Sequence, residues 1–256
     1  MRFFIGMLLL ACTFAASYYL TDIGLVGYFN VPALILIGLA PIAIAIAAYE
    51  WTELRAYMEL TRQAFAYDEP AARKALSDGL TAVSVALRSG KPVQVVRAVE
   101  STKHEGVRQG GLLLLKQYER AAMREMFQTW SQTQLASVRR AEDFFLTMAR
   151  AAPAFGLIGT ILGFIDLLRH LQDSEGLGPG MALALTATLY GIATSYCLYH
   201  PLAKALSTHA RKLGQELRLC EQGLLLIQDG RASHDVTGLL VSAHEATALA
   251  AAEVGS

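Results

Sequence analysis

Thr160 is a lone hydroxyl in an otherwise apolar run, Pro153-Ala154-Phe155-Gly156-Leu157-Ile158-Gly159-Thr160-Ile161-Leu162-Gly163. Gly156, Gly159 and Gly163 recur beside it at steps of three and four, which places them on one helix face. In lipid, small residues let helices approach closely, and a hydroxyl needs a partner or water. A second apolar run carries Thr186, Thr188, Tyr190, Thr194, Ser195 and Tyr196. Of these, Thr186, Tyr190 and Thr194 share a face. Such hydroxyls can bond back to their own helix carbonyls. Alternatively, two helices can oppose them and build a polar conduit whose oxygens replace an ion's water. With two hydroxyl-bearing helices in one chain, the conduit is the favoured reading.

The conduit lacks a titrating group. No carboxylate or histidine lies near the middle of any apolar run, where a proton-moving protein usually holds one. Asp166 comes nearest, but Arg169 follows at i+3, so the pair reads as a surface ion pair. If ions pass here, the titrating group belongs to another chain.

An enzyme reading finds little support. The six histidines show no HExxH or comparable spacing, and no GxSxG turn or phosphate-binding GxxxxGK[ST] occurs. Cys12, Cys197 and Cys220 form neither a disulfide framework nor a CxxC pair. Leu9-Leu10-Ala11-Cys12 resembles a lipoprotein cleavage site, but a second apolar run follows at once, and an uncleaved first helix is the default. The net charge of zero gives no reason to expect nucleic-acid binding.

The elements that must position the hydroxyls are membrane helices. The chain is 54% hydrophobic and 17% charged, too apolar for an ordinary soluble domain. Charge-free runs of 19, 27 and 28 residues, at Phe3–Thr21, Ile23–Tyr49 and Gly176–Ala203, can each cross a bilayer. Ala151–Ile165 extends toward Gln172 as a fourth span with a polar outer turn. Of 22 basic residues, 15 lie in Glu50–Ala152 and five follow the last span, while the connections Asp22–Tyr28 and Asp173–Gly178 hold none. That asymmetry places both termini and the central segment in the cytoplasm. The expected fold is an all-α integral membrane protein. Its expected parts are transmembrane helices 1 and 2 (1–49), a helical cytoplasmic domain (50–150), pore-lining helices 3 and 4 (151–203) and a helical cytoplasmic tail (204–256).

Local signals fill in the helices. Asn30-Val31-Pro32 starts the second span, with Pro41 a possible kink. Glu69-Pro70 starts a helix, Gly90-Lys91-Pro92 separates it from the next, and Gly110-Gly111 is expected to loosen a third. Met123, Phe127, Trp130, Val138, Ala141, Phe145 and Met148 form one stripe on a long helix that feeds into the third span. Leu206, Ala210, Leu213, Leu217, Cys220, Leu224 and Ile227 repeat the pattern, and Asp229-Gly230 ends that helix. Ser233 can cap a final short helix, and Ala248–Ser256 is expected to fray.

Two segments resemble the pore helices of the MotA/PomA flagellar stator family, relatives of TolQ and ExbB. They are Ala152–Gly163 and Met181-Ala182-Leu183-Ala184-Leu185-Thr186-Ala187-Thr188-Leu189-Tyr190-Gly191, the latter running on to His200-Pro201-Leu202-Ala203. The likeness extends more loosely over Val31–Gly38, Val107–Leu115 and Gly230–Leu240, and the two-plus-two order of spans is MotA-like. The resemblance implies a homopentamer in the bacterial inner membrane around a dimer of a MotB-like single-span partner, which brings the titrating aspartate. It implies a proton or sodium ion as the transported species, no other cofactor, and a flagellar rotor switch protein as the object pushed. By the same resemblance Thr160 and Thr188 are pore hydroxyls, with Thr186 beside them, and Pro153 and Pro201 couple ion binding to cytoplasmic movement. Lys116 stands where the family's basic-Gly-Leu-Glu segment has glutamate, and the stretch from there to Pro153 is shorter than in flagellar members. Arg108 and Glu119 are the residues left for a rotor contact, with a solvated helix face as the alternative. The second functional reading is a TolQ/ExbB-like energiser of a non-flagellar envelope process.

Overall fold

The computed structural model describes residues 29–172 and 177–231, with Gly6, Leu9, Cys12, Thr13, Ala16 and Gly238 as single positions. The expected first span, residues 173–176 of the expected link, the Ser233 cap and the tail end lie outside the described residues. The described elements are helical throughout: α1 (Val31–Ala48), α2 (Trp51–Ala66), α3 (Glu69–Arg88), α4 (Pro92–Ser101), α5 (Glu105–Leu115), α6 (Arg120–Arg169), α7 (Leu177–Thr194) and α8 (His200–Gln228). A five-residue π-helical turn, Ser195–Tyr199, joins α7 to α8. Three described stretches are long and apolar enough to cross a membrane: α1, α6 and Leu177–Gln228.

Packing divides the chain into two units. The first combines the described residues up to Ala64 with Arg139–Ser207, and the second combines Phe65–Val138 with the described residues from Thr208. The single helix α6 contributes to both. Its expected stripe is real, because Met123, Phe127, Val138, Ala141, Phe145 and Met148 are all buried.

In the second unit, Leu76, Leu80, Val83, Val99 and Val107 of α3–α5 meet Met123 and Phe127 of α6 and Leu217, Cys220, Leu224 and Ile227 of α8. Gly110 and Gly111 do not loosen α5, which runs unbroken from Glu105 to Leu115. Buried Leu224 and Val99 occupy the space their side chains would need, so close packing, not chain flexibility, requires glycine there. Gly230 ends α8 at φ +73°, with Gly230 N–H on Ile227 O and Arg231 N–H on Leu226 O. That is a Schellman closure of the helix end. Arg120 pairs with Asp229 beside it. The Tyr67 hydroxyl donates to buried Glu216, whose carboxyl burial pushes upward in pKa.

His104 caps α5. Its Nδ1 accepts the Val107 N–H at 3.3 Å, so the ring must be neutral at that nitrogen. Burial agrees, lowering its pKa from 6.5 to about 4. The unfolded chain therefore binds a proton between these values that the folded chain refuses, so stability is full above 6.5 and falls as pH drops toward 4. We expect purified protein to lose up to about 3 kcal/mol over that window through this group. His104→Asn, which keeps a cap acceptor, should flatten the dependence in pH-resolved thermal unfolding; an unchanged slope would show that His104 does not carry it.

Candidate ion-pathway site

The first unit sets α6 against α7 through small residues. Ala152, Gly156, Gly159 and Gly163 are buried small residues of α6, and Gly180, Ala184, Ala187 and Gly191 are buried small residues of α7, both sets at steps of three and four. A Cβ on Gly163 would stand 2.5 Å from Gly180 O and 2.6 Å from Ala184 N. One on Gly191 would stand 2.7 Å from Ala152 O, and one on Gly156 3.1 Å from Ala187 O. At Gly159 the obstacles are the Ala187 methyl and Leu36 of α1. The two backbones are thus in near contact along the seam. Helix α1 lies on α7, with Ala33, Ile37, Pro41 and Ala45 buried. Asn30 caps α1 through Ala33 N–H at 3.0 Å, and its own N–H donates to the Tyr190 hydroxyl at 3.2 Å.

This approach brings Thr160 and Thr188 together, their Oγ1 atoms 2.5 Å apart and half-buried. Thr160 Oγ1 also lies 3.2 Å from Gly156 O and from Ala184 O, and Thr188 Oγ1 lies 3.2 Å from Ala184 O. Each hydroxyl has one proton and two lone pairs. If one hydroxyl donates to the other, the second proton goes to a helix carbonyl and lone pairs remain free. The pair can accept from water or coordinate a stripped cation. It cannot hold a titrating proton.

Thr186 is not brought to this pair. It is buried and donates to Ala182 O of its own helix at 2.6 Å. Two residues from Thr188, it points to the other side of α7, so its hydroxyl follows the self-bonding pattern. Asp166 does not pair with Arg169 as expected; its Oδ1 lies 3.7 Å from Nδ1 of His170, the i+4 neighbour. Arg108 is exposed and holds Glu105 of its own helix at 2.6 Å, while Glu119 is exposed in the turn before α6.

Pro153 stands inside the 50-residue α6, whereas Pro201 lies in the first turn of α8, behind the π turn. The residue that sequence reasoning missed is Ser195. It is 1% exposed and donates to Ala149 O at 2.6 Å. Among the described residues no group of three metal-ligating side chains occurs.

The model of the MotA/TolQ/ExbB proton channel family matches residues 97–218, which include the glycine seam and both hydroxyls. This segment is similar to that family. Chemotaxis protein PomA of Vibrio alginolyticus is 39% identical over 87 residues, 34% of each chain. Motility protein A of Bacillus subtilis is 39% identical over 84 residues, 32% of this chain and 30% of the relative. The chain thus matches about a third of the length of these MotA-type relatives. The solved C. jejuni MotAB structure superposes with a TM-score of 0.81 at 16% identity, covering 94% of each chain. The flagellar MotAB stator complex of Bacillus subtilis gives 0.74 at 20% identity over 91% of each. The chain has the helical fold of those structures, and it is a multi-pass membrane protein.

The seam generates a direct contrast. Gly163→Ala pushes a methyl into the α7 backbone and should destabilise the purified protein by about 1–3 kcal/mol. Gly38→Ala, where the structure leaves open space, should stay within about 0.5 kcal/mol. Equal effects in detergent unfolding would contradict the seam.

Proposed function

We propose that this chain is the MotA-like stator subunit of an ion-driven rotary motor, forming with a MotB-like partner a channel that converts proton or sodium flux into flagellar rotation. The observation that carries this reading is the Thr160–Thr188 pair, set in a glycine-packed seam between two apolar runs whose sequence holds no carboxylate or histidine near the middle. Such a pathway is completed by an acid on another helix. The relatives' names, motility protein A and chemotaxis protein PomA, favour the flagellar reading over a TolQ/ExbB-like envelope energiser.

In this reading five copies surround a partner dimer in the inner membrane, with four spans each and both termini cytoplasmic. The single-span partner supplies an aspartate close to the hydroxyl pair. Ion passage bends the helices at Pro153 and Pro201, and the segment between the second and third spans pushes the rotor. Arg108 and Glu119, both exposed, are the side chains of that segment that meet it. The chain performs transport and mechanical work, not catalysis, and needs no cofactor beyond the transported ion.

Reconstituted alone, the chain should pass neither protons nor sodium; co-reconstitution with its MotB-like partner should open flux. Robust flux from the lone chain would contradict an externally supplied acid. Within the complex, Thr160→Val or Thr188→Val preserves shape and removes one coordinating oxygen. Flux and swimming should fall about tenfold or more at unchanged membrane abundance; normal swimming in both variants would reduce the pair to self-bonded hydroxyls.

A further inference from the structure

Proline 153 has no N–H, so the carbonyl of Ala149, four residues earlier in α6, loses its helical donor. A buried carbonyl left without a partner is costly. The Ser195 hydroxyl supplies the missing donor across the helix pair, at 2.6 Å and fully buried. Ser195 is also the first residue of the π turn that precedes Pro201. Its backbone carbonyl accepts the His200 N–H, closing that turn. His200 Nδ1 faces the same residue, 3.2 Å from its carbonyl oxygen and 3.4 Å from its hydroxyl oxygen. Because the serine proton is committed to Ala149, the ring donates from Nδ1 to these oxygens. The His200 ring stacks on Tyr196 at 4.8 Å between centroids, which holds it there.

One residue thus supplies the donor missing at Pro153 with its side chain and, with its backbone carbonyl, closes the π turn just ahead of Pro201. We propose that Ser195 is the positioning residue that joins the two proline joints, so that α6 and the α7–α8 junction bend together and not independently. The proposal deepens the stator reading and rests on it for its functional half. A regular helix bond breaks only with its helix. A side-chain bond can open and close as a unit, and opening it leaves the Ala149 carbonyl bare. The joint therefore has one preferred closed geometry and a defined cost of leaving it.

A double-mutant cycle tests the bond without any motor. In the full chain purified in detergent, Ser195→Ala should lower the folding equilibrium constant about tenfold, and Ser195→Thr should restore most of it. In a Pro153→Ala background the new N–H reaches Ala149, so Ser195→Ala should change the constant less than about twofold. Equal losses in both backgrounds would overturn the bond's assignment. The functional half is read in cells whose motility depends on this chain and its partner, at matched membrane abundance. Ser195→Ala should swim at least about threefold slower with ion flux retained, and Ser195→Thr should recover. Swimming unaffected by Ser195→Ala would overturn the coupling role even with the cycle positive. Wild-type chain and partner giving neither flux nor motility would sink the stator reading, while the cycle would still decide the bond.

Discussion

The near contact of two helix backbones along one seam governs the site. In lipid no water is released by bringing two apolar helices together, so association relies on dispersion contacts and on how closely the chains can approach. Gly156 and Gly163 on α6 and Gly180 and Gly191 on α7 allow an approach at which a single added methyl meets backbone atoms. That distance is what makes the hydroxyl pair. Thr160 and Thr188 are short side chains, and their oxygens meet across the seam only because the helices carry no bulk beside them. Opening the seam by an ångström or two would return each hydroxyl to its own carbonyl.

The seam is stiff, yet the proposed stator function requires movement. The interruptions fall at one end of the seam, at Pro153 beside Ala152 in α6 and at the π turn and Pro201 after α7. Proline breaks are common in membrane helices because neighbours can satisfy the freed backbone groups. Here the neighbour is a serine hydroxyl, so the repair is itself a contact between the helices. Rigid packing and bending sites thereby meet at the same end of the helix pair.

Much of this was legible in the chain. The apolar stripes of α6 and α8 follow a helical period strictly enough to name their buried residues, and Asn30 and Gly230 mark helix ends by their own local chemistry. The glycine face was equally plain, because period alone defines it. What period does not define is the phase of one helix against another. Thr186 and Thr188 are equivalent hydroxyls in the sequence, and Thr188 was singled out by family resemblance, but only the docking of α7 on α6 turns Thr188 toward Thr160. Gly110 and Gly111 read as breakers until Leu224 and Val99, distant in sequence, are seen to fill their places. Ser195 reads as one hydroxyl among six, since its acceptor lies 46 residues away. Each of these depends on a tertiary neighbour that no local pattern identifies.

The central claim is that this chain supplies the coordinating hydroxyls and a second chain supplies the acid. A structure of the intact complex with its partner tests it most directly, through the position of the partner's membrane-embedded carboxylate relative to Thr160 and Thr188. The account predicts that carboxylate at the level of the pair, within one bridging water of a threonine oxygen in at least one subunit. A hydroxyl pair facing lipid, or a carboxylate separated from it by packed side chains, would contradict the account.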